Sequence, residues 1–371
     1  WLLNLAHMTL GTYPEQVPDN YLIESTVFDS DEKFPRFTDV ATEAGLNTRS
    51  LCGGAIIDDF NGDGLLDVVT SDWDVKGQLK FFEGTRHGKF GEQTEAAGLT
   101  GLYGGLNINQ TDYNNDGHPD IYICNDFESP DRIWINNGDG SFREIEKTAV
   151  RHTSNSSMSV DFSDLNKDGY VDFFVSDMLS QSHIMKKTQM GTMLPTVLLI
   201  GEIENRPQYM RNTLFLNRKD HTFSEIGQYS KTYASEWSWA SAFMDVDLDG
   251  NEDMLITTGH VYDVQDSDSI EKQKKVASSV RSFDEYKRML LSFPTLELKN
   301  VAFKNKGNLK FETVKDAWGI GKEEDISHGM AFGDLDNDGD LDVVINRLNQ
   351  NVGLFRNDTK SESEGRGAQS D

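Results

Sequence analysis

One nine-residue pattern, Asp-x-Asn/Asp-x-Asp-Gly-x-x-Asp, occurs five times in this chain and constrains its fold more than any other feature. The copies begin at Asp59 (DFNGDGLLD), Asp112 (DYNNDGHPD), Asp164 (DLNKDGYVD), Asp245 (DVDLDGNED) and Asp334 (DLDNDGDLD). In each, the first, third, fifth and ninth residues offer carboxylate or amide oxygens, and the sixth is Gly. A ring of hard oxygens around a tight turn is what Ca²⁺ requires, with Gly where the backbone bends most sharply. The predicted ligands are Asp59, Asn61, Asp63 and Asp67; Asp112, Asn114, Asp116 and Asp120; Asp164, Asn166, Asp168 and Asp172; Asp245, Asp247, Asp249 and Asp253; and Asp334, Asp336, Asp338 and Asp342. The carbonyl of the seventh residue (Leu65, His118, Tyr170, Asn251, Asp340) is expected to add one more, so the chain is expected to hold five Ca²⁺ ions, one per copy.

The pattern is similar to the first half of an EF-hand loop, but its closing acid comes three residues after the Gly, not six. Nor does it lead into an amphipathic helix. It leads into Val68-Val69, Ile121-Tyr122-Ile123, Phe173-Phe174-Val175, Met254-Leu255-Ile256 or Val343-Val344-Ile345, short β-prone runs, so each loop joins two strands. The strand before the loop carries a small or compact residue five places before the first Asp: Gly54, Asn107, Ser159, Ala240 and Gly329. That suits a strand crowded near an axis. A third strand comes next at Lys80, Arg132, Thr213, Val301 and Gly353, and a fourth begins at Phe90, Phe142, Phe223 and Phe311. Four antiparallel strands per repeat describe the blade of an all-β propeller.

The fifth unit lacks a fourth strand, because the chain after Asn357 turns into a polar tail expected to be disordered. Phe37-Thr38-Asp39-Val40, with ATEAGL after it, reads like Phe90-Gly91-Glu92-Gln93 with TEAAGL after it. The N-terminal strand is therefore predicted to complete the last blade and close the ring, removing both open edges. Loop starts are 53, 52, 81 and 89 residues apart, the excess falling between second and third strands. Five blades are expected, and seven if strand pairs in the insertions or outside this sequence contribute.

The predicted domains are a helical stub or strap at 1–33, the propeller at 34–357, and the tail at 358–371. The stub rests on Trp1, Leu2, Leu5 and Met8, with Gly11 and Pro14 ending the helix. One insertion, about 178–211, is rich in Met (Met178, Met185, Met190, Met193, Met210), suited to covering the flank of a sheet or to an adaptable binding surface. The other, about 262–297, reads as a helix capped by Asp268 and Glu271, with Val276, Val280, Phe283 and Leu290 on one face and Pro294 beyond. Cys52 and Cys124 make no disulfide framework and are expected to be small buried residues. Net charge is −27, and five divalent ions would offset ten of those charges. Such a field disfavours nucleic acid and anionic membranes, and no apolar run approaches a membrane span.

In a propeller the metal loops share one face, and the other face collects the insertions. Five residues beyond each closing Asp lie Asp72, Asn125, Asp177, Thr258 and Arg347, with Trp73, Tyr103, Asp126, His152, Asn155, Glu236, Trp237, His260 and His328 near them. Together they predict a polar and aromatic ring around an axial ligand pocket. Plainer roles stand beside that one: Trp237 and Trp239 as core, Asp72 and Asp177 as turn caps. No nucleophile elbow, phosphate loop or zinc motif occurs.

The repeat resembles the FG-GAP/VCBS family of calcium-binding propeller repeats. DYNNDGHPDIYICNDFESPDRIWINNGDGSF, EWSWASAFMDVDLDG and HGMAFGDLDNDGDLDVVINRLNQNVGLFRND look like its cartilage-acidic-protein-like bacterial group, in which a UnbV-type domain often succeeds the propeller and helical repeats may precede it. The similarity spans about residues 34–357, and no UnbV-type domain comes after Asn357 in this sequence. The resemblance implies Ca²⁺ binding and a secreted, periplasmic or cell-surface location, and leaves the activity open. The expected function is a binding or adhesion scaffold for a protein or glycan on the face opposite the metals. The rivals are an exported enzyme with its site in the axial pocket and a structural subunit of a surface assembly.

Overall fold

The computed structural model describes residues 2–28, 38–74, 76–101, 104–126, 129–189, 206–277 and 282–359. The chain divides into two compact units, Trp1–Glu43 and Ala44–Asp371, a boundary later than the expected one after residue 33. In the first unit the expected helix is α1 (Leu2–Thr9), while Trp1 lies outside the described residues. Its leucines are exposed, and its buried residue is Asn4. Asn4 can be buried because its amide is satisfied at both ends: Nδ2 donates to Tyr21 O (2.7 Å) and Oδ1 accepts from Ile23 N (2.9 Å).

The second unit is a five-bladed propeller. Its first sheet is β1 (Ala55–Asp58), β2 (Asp67–Thr70), β3 (Lys80–Gly84) and β4 (Phe90–Glu92). The second is β5 (Gly105–Thr111), β6 (Asp120–Asn125), β7 (Arg132–Asn136) and β8 (Phe142–Glu144). A two-residue strand β9 (Thr153–Ser154) precedes the third sheet, in which β10 (Ser159–Ser163) and β11 (Asp172–Ser176) come first. Next in the chain is β12 (Gln208–Tyr209), parallel to β9, and then β13 (Thr213–Asn217) and β14 (Phe223–Glu225) complete that sheet. The fourth contains β15 (Ser238–Met244), β16 (Asp253–Thr258), β17 (Val301–Asn305) and β18 (Phe311–Thr313). The fifth has three described strands, β19 (Ser327–Gly333), β20 (Asp342–Arg347) and β21 (Gly353–Phe355). Within each blade every strand is antiparallel to the next, so the five loops all connect a first strand to a second.

The innermost strands β1, β5, β10, β15 and β19 adjoin in chain order. Gly54 backs directly onto Ile108, and Ser159 and Ser241 share a hydroxyl hydrogen bond (2.8 Å), so compact residues do serve the crowded inner strands. Gly329 has open space beside it and does not need to be small. The apolar core lies between blades. Phe60 and Phe81 of the first each meet Phe142 of the second edge to face at a centroid distance of 5.9 Å, and Phe173, Phe215 and Phe223 of the third pack against Tyr122 and Ile133 of the second.

Thr38–Val40, the described part of the expected closing strand, is not a strand, and Phe37 lies outside the described residues. Gly45, at the end of the turn after it, packs on the first blade as Gly98 packs on the second. A Cβ at Gly45 would lie 2.4 Å from Phe90 O, as one at Gly98 would lie 2.9 Å from Phe142 O in the next blade.

Ahead of the first insertion comes the short α2 (Ala41–Ala44), and the insertion itself holds α3 (His183–Gln189); Met190 and Met193 lie outside the described residues. Met178, Met185 and Met210 join an apolar cluster with Trp237, so covering the sheet end is their role. After α4 (Gly227–Ser230), the second insertion contains two helices, α5 (Ser267–Ala277) and α6 (Phe283–Leu290), in place of the single one expected. The cap of α5 is Asp266, accepting from Ser269 N (2.7 Å), while Glu271 pairs with Lys275 on the exposed face. A capping box of Ser282 and Glu285 starts α6 and leaves Phe283 68% exposed, off the apolar face assigned to it. Cys124 is buried as expected, but Cys52 is exposed.

A single residue type ties blade to blade. The last residue of the third strand is Asn136, Asn217 or Asn305 in blades two to four and Gly84 in the first, and in the fifth Asn357 stands two residues beyond the strand. Asn136 Nδ2 donates to Phe60 O (2.8 Å), Asn217 Nδ2 to Tyr113 O (2.9 Å) and Asn357 Nδ2 to Val246 O (2.9 Å), each acceptor lying in the loop of an earlier blade. Leaving such carbonyls buried and unpaired costs about 1–3 kcal/mol each. Asn136→Ala is therefore expected to lower unfolding free energy by about 1–3 kcal/mol. Urea denaturation checks this, and an unchanged midpoint would contradict the latch.

Candidate functional site

The five loops share one hydrogen-bonded shape. The first Asp accepts from the backbone N–H of the fifth residue and of the Gly at 2.7–3.1 Å in every loop, for example Asp112 from Asp116 and Gly117. The fifth residue's carboxylate accepts from the seventh residue's N–H, as Asp168 does from Tyr170 at 3.0 Å. These bonds curl the chain so that its side-chain oxygens converge. The curl needs a φ of +83° to +96° at the sixth residue, a region open to Gly without steric cost.

The closing aspartates Asp67, Asp120, Asp172, Asp253 and Asp342 are buried, with 0–2% exposure, and do something further. One oxygen accepts from the second residue of the loop (3.0–3.3 Å) and the other from the residue at the end of the third strand (2.8–2.9 Å). Each therefore fastens its loop to its own blade. Burial pushes the Asp120 and Asp172 carboxyls up to about 7 and Asp253 to about 6, against the backbone N–H bonds that favour the charged form; neighbouring loop carboxylates push the same way as burial.

The donor set fits a hard divalent cation. Carboxylate oxygens of Asp245, Asp247 and Asp253 lie within 4.8 Å of one another, as do those of Asp334, Asp336 and Asp338. Two oxygens in these loops are buried without a hydrogen-bond partner, Asp247 Oδ1 and Asp340 Oδ1. Asp340, expected to contribute only its carbonyl, is itself 5% exposed. Oxygen-only, charge-rich and partly unsatisfied, the loops suit Ca²⁺ better than a metal preferring nitrogen or sulfur.

The opposite face departs from the expected polar ring. Asp72 accepts from Leu51 N (3.1 Å) and Asp74 N (2.9 Å), capping turns. Asp177 is fully buried, accepting from Ser154 Oγ and from the N–H groups of Asn155 and Ser156. Asn125 is buried as well, donating to Pro130 O (2.6 Å), and Thr258 donates to Lys299 O (2.9 Å). Glu236 accepts from Ser180 Oγ and from Gln181 N (2.8 Å). His152 lies by Glu225 of β14, at 3.5 Å, and so belongs to the outer edge of its blade, not the axis. Arg347 Nε donates to Asn351 O (2.9 Å), and Tyr103 lies outside the described residues.

Two groupings do form. Trp73 Nε1 donates to Asp126 Oδ2 (3.2 Å), joining connections of the first two blades. Trp237 stacks on His260 (4.4 Å, 21°), His260 faces Trp239 (5.9 Å, 16°), and Trp239 meets His328 (4.3 Å). Leu106, Met158 and Trp239 stand at or beside the starts of their inner strands, so this axial end is an apolar and aromatic cluster. Of the two tryptophans given a core role as the plainer reading, Trp237 is buried and Trp239 only half-buried.

Residues 59–123 and 112–175 match the FG-GAP-like repeat, placing the first three loops within matched segments. FG-GAP-like repeats in a β-propeller arrangement support a repeat-propeller family. No curated protein matches the sequence. Among solved structures, the chain is similar to an Agrocybe aegerita lectin described as specifically recognising non-reducing terminal N-acetylglucosamine (14% identity, TM-score 0.38, covering 82% of this chain and 66% of that one). It is also similar to the V. cholerae biofilm matrix protein Bap1 (12%, TM-score 0.34, covering 76% and 42%) and a Bacillus licheniformis rhamnogalacturonan lyase (13%, TM-score 0.39, covering 83% and 49%). The chain thus spans less than two thirds of the length of each of these three proteins.

Beneath the opposite face, between the second and third blades, Asp131 is 1% exposed and accepts from Asn125 N (2.8 Å), Tyr122 Oη (2.8 Å) and Ser157 Oγ (2.7 Å). Burial pushes its carboxyl up to about 7 despite those bonds. The folded protein then holds a proton that the unfolded chain releases near pH 4, so this group's contribution to stability is lost as pH rises from about 4 through 7. With Ca²⁺ in excess, Asp131→Asn is expected to show a flatter melting temperature than the parent between pH 5 and 8. Parallel curves across that range would overturn the assignment.

Proposed function

We propose that this chain is a Ca²⁺-stabilised β-propeller acting as an exported binding scaffold, which presents a protein or glycan partner with the face opposite its metal loops. The observation that carries the metal half is the shared loop geometry: five acidic turns curled by their own amides, with three carboxylates within 4.8 Å of one another in the fourth and in the fifth. Like charges held so close repel, and a bound cation removes that cost while supplying the coordination that completes each turn. The first, third, fifth and ninth residues would hold the ion, with the seventh carbonyl. Because the ninth also bonds the third strand, ion binding and blade packing reinforce each other, and binding stabilises the fold by mass action.

For the partner half, the half-buried rings of Trp239 and His328 and the Trp73–Asp126 pair offer aromatic faces beside polar groups, suited to stacking against a sugar or an apolar side chain. An exported location accords with the need for abundant Ca²⁺. A net charge of −27 argues against nucleic acid, and no helix among the described residues is long and apolar enough to cross a membrane. An axial enzyme would require carboxylates such as Asp72, Asp177 and Glu236, and each of these is engaged by turn N–H groups or hydroxyls.

Each ion held at a hundred times its dissociation constant adds about 2.7 kcal/mol. Chelation is therefore expected to lower the melting temperature by more than about 10 °C, and a melt indifferent to chelator would rule out the metal role. In a glycan and protein array probed with Ca²⁺ present, Trp239→Ala is expected to weaken the binding that the parent shows. Binding unaffected by Trp239→Ala but lost in variants of exposed loop-side residues would move the partner to the metal face.

A further inference from the structure

The five loops are chemically unequal, and the difference comes from the strand beside them. In every blade the residue after the closing Asp pairs with a third-strand aromatic: Val68 with Phe82, Ile121 with Trp134, Phe173 with Phe215, Met254 with Phe303 and Val343 with Phe355. One step further along the third strand stand Glu83, Ile135, Leu216, Lys304 and Arg356. These track the loop's third residue in charge. Where that residue is Asn, the neighbour is Glu83, Ile135 or Leu216; where it is Asp, the neighbour is Lys304 or Arg356.

The contacts bear out the pairing. Asn61 Nδ2 donates to Glu83 Oε1 (3.2 Å). In the second and third loops, with an apolar neighbour, Asn114 and Asn166 turn instead to Asp116 and Asp168. Arg356 is 3.9 Å from Asp336 and well exposed, a contact screened by solvent. In the third loop Lys219 also lies 3.2 Å from Asp168, but it meets that one carboxylate and is 45% exposed; Lys304 differs from all of these. Its ammonium contacts Asp247 and lies 3.4 Å from Asp249, bridging the third and fifth residues of the loop, and its side chain is 28% exposed. The other oxygen of Asp247 is buried with no partner.

Resting on the Ca²⁺ reading of the loops, we propose that Lys304 is a tethered cation that competes with Ca²⁺ for the fourth loop and makes it the weakest of the five sites. The fourth loop has one more carboxylate among its first, third, fifth and ninth residues than any of the first three, so its sequence alone points to tighter binding. The ammonium reverses that order. Ca²⁺ must displace it from two ligands at once, and the freed Lys304 then stands as a like charge beside the bound ion. By contrast the fifth loop, with Asp336 and the buried Asp340 and only the exposed Arg356 nearby, is expected to bind most tightly.

Calorimetric titration of chelator-stripped protein with Ca²⁺ tests this, alongside the variants Lys304→Met and Lys306→Met, the latter a nearby exposed control for net charge. Lys304→Met is expected to raise the affinity of the weakest class of site roughly fivefold to tenfold. Lys306→Met should leave that class within about twofold. Adding Asp245→Asn to Lys304→Met is expected to abolish the gain, and melting curves with and without Ca²⁺ confirm that each variant is folded. If the parent takes up Ca²⁺ and Lys304→Met leaves the weakest site unchanged, or Lys306→Met matches its effect, the competition is refuted while the metal reading stands. If the parent takes up no Ca²⁺ in any loop, both fall.

Discussion

The propeller depends on five aspartates held out of water. Asp67, Asp120, Asp172, Asp253 and Asp342 are each buried, and each divides its two oxygens between its own loop and its own third strand. Moving a carboxylate out of water is costly, and two backbone N–H bonds recover only part of that cost, as the raised carboxyls of Asp120 and Asp172 show. A cation on the loop side is the natural third partner. It would draw on the same oxygens without breaking the amide bonds, because each carboxylate oxygen has more than one lone pair.

The next level of organisation is the asparagine latch. Asn136 stands outside the loops and carries no charge, yet its backbone N–H reaches the closing Asp of its own blade while its side chain reaches the loop of the blade before. Order in one loop is thereby passed to the next through a chain of buried hydrogen bonds. Gly84 has no side chain to offer, so the first blade makes no such latch to the fifth. The latch joins the first blade to the second, the second to the third and the fourth to the fifth, while Asn305 Nδ2 donates within its own blade to Glu252 O (3.1 Å).

On the proposed calcium reading, affinity in such a ring would not be a property of the nine-residue pattern alone. The pattern ranks the fourth loop above the first three by charge, while the neighbouring strand puts an ammonium between Asp247 and Asp249. The same third-strand step holds an acid in the first blade and apolar residues in the second and third, so loop charge is adjusted from outside the loop. On the proposed function the two ends of the propeller would divide the work. One is a belt of charged turns suited to stabilising the fold; the other, with stacked Trp237, His260, Trp239 and His328, has the chemistry to touch a partner.

The local pattern by itself determined the five blades, the strand order within each, the placement of the loops and the insertions between second and third strands. These rest on short-range rules: a Gly that must adopt positive φ, acids at fixed offsets, and alternating runs too short to be helices. Tertiary structure decided what long-range neighbours control. It buried Asp177 and Asn125, which sequence spacing puts on a binding ring, and moved His152 to an outer edge beside Glu225. It split one predicted helix in two and exposed Cys52. It also brought Lys304 to a loop more than fifty residues earlier and set Trp239 between two histidines from different blades. A side chain's offset along the chain says which way it leaves its own strand, but whether it meets water, a charge or another ring depends on the blade packed against it.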